Sequence, residues 1–203
     1  MLDIEKRTAE QQKVAENAIK DSKLLAELLD GLFSMKCAVR YGNFKAIYLI
    51  SEDHPEALYP KWDLFEKMLR SNNGTYMFYA IHVLSNLVKV DKGGRFEGIF
   101  DEFYDILNGD ALVPACHVAY VSHKIVEAKP ELATKITERL LNLDKATYKH
   151  KELVQANALS SFSKYFDRIA DNNKVASLAK DLTKSKSSRA KREAAQFLEK
   201  LVD

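Results

Sequence analysis

Five stretches of this chain are versions of one another, and their spacing constrains the fold more than any other feature. Tyr41-Gly42-Asn43-Phe44-Lys45, Leu84-Ser85-Asn86-Leu87-Val88, Val121-Ser122-His123-Lys124-Ile125, Phe162-Ser163-Lys164-Tyr165-Phe166 and Leu198-Glu199-Lys200-Leu201-Val202 each open on a large apolar residue. Four of them follow it with Gly or Ser. Four residues upstream of each start sits Cys37, Ala80, His117, Ala158 or Ala194. The starts are 43, 37, 41 and 36 residues apart, and stacked pairs of helices repeat at such periods.

Between these stretches the apolar residues recur at i, i+3 and i+4, the spacing of a buried helical stripe. Leu24, Leu25, Leu28, Leu29 and Phe33 form one such stripe, and Ile99, Phe100, Phe103, Ile106 and Leu107 another. No segment alternates with period two, so no strand is expected. Only 7 Gly and 4 Pro in 203 residues also count against a turn-rich β fold. The expected boundaries follow from caps and prolines. Residues 3–20 read as a polar opening helix with Val14, Ala15, Ala18 and Ile19 along one edge. Ser22 is placed to cap the next helix, whose partner runs from about Met35 to Glu52 and stops before Pro55. The second pair opens at Pro60 and continues as Tyr76–Val90 after the turn at 71–75. The third places its second helix at Val113–Ala128. The fourth starts at Pro130, with Thr147 capping a helix that reaches Ile169. Asp171 caps the fifth, which ends in Ser188–Val202.

Short turns between sequential helices make them antiparallel. The expected fold is therefore all-α: a right-handed α-solenoid of about five antiparallel helix pairs in a single domain, residues 1–203. Residues 1–21 would supply an N-terminal capping helix and 22–203 the repeats. Gly42, Ser85, Ser122 and Ser163 sit just past the main core residue and would let adjacent second helices approach closely.

The chain resembles the HEAT and armadillo class of repeats. Ala156-Asn157-Ala158-Leu159-Ser160-Ser161-Phe162 and Ala190-Lys191-Arg192-Glu193-Ala194-Ala195-Gln196-Phe197-Leu198 are similar to second helices of HEAT units. The likeness spans residues 22–203 and is one of pattern. The common Asp followed by Val-Arg at each repeat's turn is absent, and tetratricopeptide repeats, with a fixed period of 34, fit less well. The resemblance implies second helices that line a concave, partner-binding surface.

Composition limits the function classes. Apolar residues at 46% and charged residues at 30% suit a folded, water-soluble protein. The longest nearly apolar run, 111–121, is well short of the ~20 residues that cross a bilayer, and the charged start 3–7 carries no signal core. No membrane association and a cytoplasmic location are expected. Net charge is +2, so no overall field marks a nucleic-acid binder. Cys37 and Cys116 fall two repeats apart, too far for a disulfide, and read as buried small apolar residues.

No catalytic or metal constellation stands out. None of the five histidines has a second at i+4 or a Cys-x-x-Cys nearby, and no cofactor is expected. His117 reads as a hydrogen-bonded core histidine and Trp62 as core. Gly93-Gly94 lacks the Gly-Lys-Ser/Thr of a phosphate loop and reads as a turn. The residues five and two before each repeat anchor, and two after it, share one helical stripe. That stripe includes Tyr79, His82, Asn86, His123, Asn157 and Lys164. It is either the concave surface for a protein or peptide partner, or only the polar face that any exposed helix needs.

Charge is uneven. Residues 97–110 hold five acidic side chains and no basic one, whereas Lys184, Lys186, Arg189, Lys191 and Arg192 cluster near the end. The cluster is a solvated cap, or a contact for phosphates, where counterion release favours binding. A non-enzymatic interaction scaffold is the first expectation. A nucleic-acid-binding HEAT-like protein, of the kind found among DNA repair glycosylases, is the alternative. Homo-oligomerisation through the acidic middle and basic end is a third.

Overall fold

The computed structural model describes residues 3–201. All regular structure among them is helical. The α-helices are α1 (Ala9–Lys20), α2 (Ser22–Gly31), α3 (Cys37–Asp53), α4 (Pro55–Leu58), α5 (Trp62–Leu69), α6 (Gly74–Leu87), α7 (Arg95–Asp105), α8 (Leu112–Ala128), α9 (Ala133–Leu141), α10 (Lys151–Phe162), α11 (Asn172–Leu182) and α12 (Ser188–Glu199).

Local chemistry sets most of the boundaries. Asn73 accepts from the N–H of Thr75 and Tyr76 at the start of α6, and Asp171 accepts from Lys174 at the start of α11. Each satisfies backbone donors that the first turn leaves without partners. Four boundaries differ from expectation. Asp21, not Ser22, caps α2, because its carboxylate accepts from the N–H of both Lys23 and Leu24. Pro60 lies inside a 3-10 turn, Tyr59–Lys61, and Pro55 opens the short α4 instead. Thr147 caps nothing: its N–H and hydroxyl both donate to the Gly109 carbonyl. The chain then passes through His150 in the left-handed region, φ 64°, so α10 starts at Lys151. It stops at Phe162, seven residues short of Ile169, where Ser163 and Lys164 turn back onto the last carbonyls. Val202, the expected end of α12, lies outside the described residues.

α3, α6, α8, α10 and α12 pack each against the next. α2, α5 and α11 pack against the helix that follows them, and α1 packs on both α2 and α3. One continuous cluster of buried side chains runs through the whole series, from Ile4 to Phe197. Its largest members include Trp62, Tyr48, Tyr79, Tyr104, Phe44 and Phe96. Trp62 is core, as expected, with its indole N–H donating to Glu66.

The first repeat sits in a different register from the one its sequence suggested. Tyr41 is half-buried and Gly42 exposed, and a Cβ at Gly42 would meet nothing. That glycine serves no close approach. The residue packed against His82 of α6 is Tyr48, and the one bonded to Asn86 is Ser51. Both lie two or more turns beyond Tyr41. Ser85 and Ser122 do sit in the packed interior, their hydroxyls donating to carbonyls one turn back. Cys37 is exposed and Cys116 half-buried, so neither is the fully buried apolar residue expected.

Four of the five acidic side chains of residues 97–110 are paired within the chain. Glu97 pairs with Lys129 at 2.6 Å, Glu102 with Arg70 at 2.9 Å, and Asp101 and Asp105 with Arg139 at 2.5 and 2.8 Å. These pairs tie α7 to the helices on either side. Those four side chains, expected to meet a basic end in another copy, are already engaged.

Candidate functional site

Tyr79, His82 and Asn86 lie on one stripe of α6, as expected, but that stripe is interior. Relative exposure is 2%, 1% and 0%. It faces the neighbouring helices rather than water. Tyr79 stacks on Phe44 of α3, ring centroids 4.0 Å apart, an offset aromatic contact that adds to burial. Asn86 donates to the Ser51 hydroxyl at 2.9 Å and accepts from Lys124 at 2.9 Å. Asn157 is also buried and accepts from Arg189 at 2.6 Å. His123 is half-buried, its Nδ1 against the Tyr120 carbonyl and its backbone N–H on the Ser161 hydroxyl. Only Lys164 is exposed, beside His123 and Glu127 in a shallow cleft. The expected binding stripe is corrected: its polar side chains satisfy one another across helix–helix contacts, as buried polar groups must.

His82 and His117 form the centre of that contact. His82 Nε2 lies 3.1 Å from His117 Nδ1, and Phe78 packs against both rings. Burial pushes the His82 imidazole well below its usual range, and the nearby His117 and Lys124 push the same way. His117 is pulled down to about 4 by burial, with Arg189 adding to the effect. The sign follows from linkage. Both rings stay neutral in the fold, whereas the unfolded chain takes up their protons below about pH 6.5. Stability is therefore expected to fall as pH drops from 6.5 toward 4, by about 1.4 kcal/mol per pH unit for each neutral ring. Urea midpoints at pH 7, 5.5 and 4.5 check this. The variant His117→Gln should show a clearly shallower decline, and an unchanged slope would remove the assignment.

The C-terminal half of the same helix surface is covered by the chain's own beginning. Ile4 is 2% exposed. The Tyr120 hydroxyl donates to Glu5 at 2.6 Å, and Arg7 spans Glu52 and Asp53 at the end of α3. Residues 3–7 thus bridge from α3 to α8. Beneath them Lys124 Nζ donates to Tyr48, Glu52 and Asn86, at 3.0, 2.9 and 2.9 Å.

The N-terminal halves of these helices leave an open groove of about 380 Å3. α3 contributes Cys37, Arg40 and Tyr41; α6 contributes Gly74, Thr75, Phe78 and Tyr79; α8 contributes Val113 and His117. Val113 is 61% exposed, unusual for a valine in a helix. Met35, on the turn into α3, is 95% exposed. Arg40 is the one formal charge in the lining. A roomier cleft of about 510 Å3 at α9 and the start of α11 is lined by Thr134, Glu138, Asn142 and Lys174 among others, but no large exposed apolar side chain reaches it.

The basic cluster remains on the surface. Lys184, Lys186, Lys191 and Arg192 are exposed, and so is Arg189 despite its bond to Asn157. Among the described residues no three His, Cys, Asp or Glu side chains converge as metal ligands. No helix of the described residues is long and apolar enough to cross a membrane. Compared with family models, curated proteins and solved structures, the chain has no significant match in any of the three.

Proposed function

We propose that this chain is a non-enzymatic interaction scaffold, a HEAT-like right-handed α-solenoid that holds a protein segment in the groove of α3, α6 and α8. The serial packing of α3, α6, α8, α10 and α12 supports the solenoid, since each repeat of such an array packs chiefly on its neighbours. The groove itself carries the binding reading. It combines an exposed valine, aromatic walls and a single charge, the mix of apolar anchors and few polar groups that recognition sites use. An apolar lining of this kind left in water invites a partner.

The test is a photo-crosslinking residue at Val113, with the exposed Lys89 of the Val88–Val90 3-10 turn as the control position. The expected result is one discrete protein adduct from position 113, absent from position 89 and lost when Phe78→Asp is added. The same adducts at both positions would remove the proposal. Fluorescence anisotropy with a 20-base-pair DNA at low salt tests the nucleic-acid alternative, because electrostatic binding is strongest there. Tight binding abolished by neutralising Lys184, Lys186, Arg189, Lys191 and Arg192, and indifferent to Phe78→Asp, would replace the scaffold reading.

A further inference from the structure

The electrostatics of the groove select a partner of one kind. Arg40 is half-buried in its floor. One Nη donates to the Ser34 carbonyl at 2.9 Å and the other to Cys37 Sγ at 3.4 Å, and the Tyr79 hydroxyl lies beside it. Its Nε is shielded from water with no acceptor, and no carboxylate among the described residues pairs with it. Three other cations that are partly or fully buried do have one. Lys124 has Glu52, Lys129 has Glu97, and Arg139 has Asp101 and Asp105. A half-buried cation lacking a counter-charge has lost part of its hydration, so an anion supplied from outside stabilises it.

Helix ends add to this field. The groove is lined by first-turn residues of three helices: Cys37 of α3, Gly74 and Thr75 of α6, and Val113 of α8. Lys36 and Ala111, at the caps of α3 and α8, make no side-chain capping bond. Two uncapped helix N-termini therefore direct partial positive charge at an apolar cleft that already holds Arg40.

The chain's own N-terminal segment shows how the neighbouring surface holds such a ligand. Ile4 is buried there while the adjacent Glu5 carboxylate accepts from the hydroxyl of Tyr120. The open half offers the same two elements, apolar walls at Phe78 and Val113 and a hydrogen-bond donor at Arg40.

We infer that the groove takes an acidic protein segment in which a large apolar side chain lies beside a carboxylate, the carboxylate pairing with Arg40. This rests on the groove being the binding surface. The test is selection of a random 12-residue phage-displayed peptide library against the whole chain and its variants. Peptides that require the groove, defined by loss with Val113→Glu, should be enriched in Asp or Glu next to Leu, Ile, Met or Phe. Their affinity should fall at least about tenfold in Arg40→Gln and recover substantially in Arg40→Lys. Thermal melts of each variant establish that the fold is retained. Groove-dependent peptides without a carboxylate, or indifferent to Arg40→Gln, would overturn this inference and leave the scaffold proposal standing. Selection that yields no Val113-dependent peptide would overturn both.

Discussion

Lys124→Met is expected to lower the stability of the fold by about 3 kcal/mol, although methionine matches the lysine stem in length. The side chain of Lys124 is 13% exposed, and its three donors are all taken, by Tyr48, Glu52 and Asn86. Removing it strands the Glu52 carboxylate, itself only 24% exposed, and leaves the Asn86 carbonyl without its donor. Breaking a buried pair from one side costs about 3–5 kcal/mol. The lower end applies here because Arg7 still reaches Glu52. For a chain of this length that is roughly 10 °C in Tm. The double variant Lys124→Met with Glu52→Gln should recover at least half of the loss, since an apolar side chain beside a neutral amide avoids the orphaned charge. Acid behaviour gives a second readout. Burial alone would push the Glu52 carboxyl up, but Lys124 and Arg7 hold it below its usual range. A depressed carboxyl contributes stability that is present above about pH 4.5 and lost as pH falls through the lower folded value. The single variant should therefore lose part of the wild-type acid transition. Equal Tm values for Lys124→Met and wild type would end this account.

The helical pattern was legible because each helix is amphipathic and most turns carry their own caps. Asn73, Asp171 and the residues around Pro55 announce their boundaries through chemistry confined to a few neighbours. α10 does not, because Thr147 finds its partner at Gly109, 38 residues away. The register of α3 was lost for a related reason. Gly42 is the sixth residue of α3 and Ser85 the twelfth of α6, so aligning them slides the pattern by nearly two turns and hides the Tyr48–His82 and Ser51–Asn86 contacts. The polar stripe misled for a reason general to packed helices. Taken alone, a helix with Tyr, His and Asn on one face reads as solvated. In the fold those groups meet Phe44, His117, Ser51 and Lys124 from other helices. The groove left one readable mark, Val113 at the second position of α8, where no buried neighbour requires an apolar side chain.

Asp91→Ala should be at least as damaging, by about 3–5 kcal/mol, because one carboxylate closes four separate demands. Its side chain is 0% exposed. Oδ1 accepts from the Tyr59 hydroxyl at 2.6 Å and the Arg95 N–H at 3.0 Å, while Oδ2 accepts from the Phe96 N–H at 2.9 Å. Lys129, 10% exposed, lies 3.5 Å from Oδ2 and donates to the Asp91 carbonyl. Gly94 makes this geometry reachable: it sits at φ 69°, where a Cβ is strained, and turns the start of α7 toward Asp91. The α7 N-terminus, where an anion could otherwise lie, is occupied by the chain's own carboxylate. Alanine leaves two N–H groups and a phenol short of an acceptor, each costing about 1–3 kcal/mol where it stays dry, while Lys129 keeps Glu97 and the carbonyl of residue 91. Asparagine keeps one acceptor but turns an N–H2 toward a backbone donor and removes the charge facing Lys129, so Asp91→Asn should fall between alanine and wild type. Burial would raise the Asp91 carboxyl, yet the Tyr59 hydroxyl, the two N–H groups and Lys129 hold it low. Its contribution is thus complete above about pH 4 and disappears only below that. Denaturant midpoints at pH 7 and pH 3 separate the cases: at pH 7 the order should be wild type, asparagine, alanine, with the gap narrowing at pH 3. An alanine variant within 1 kcal/mol of wild type at pH 7 would show that water replaces the carboxylate and that the node does not hold the Tyr59–Lys61 turn, α7 and the end of α8 together.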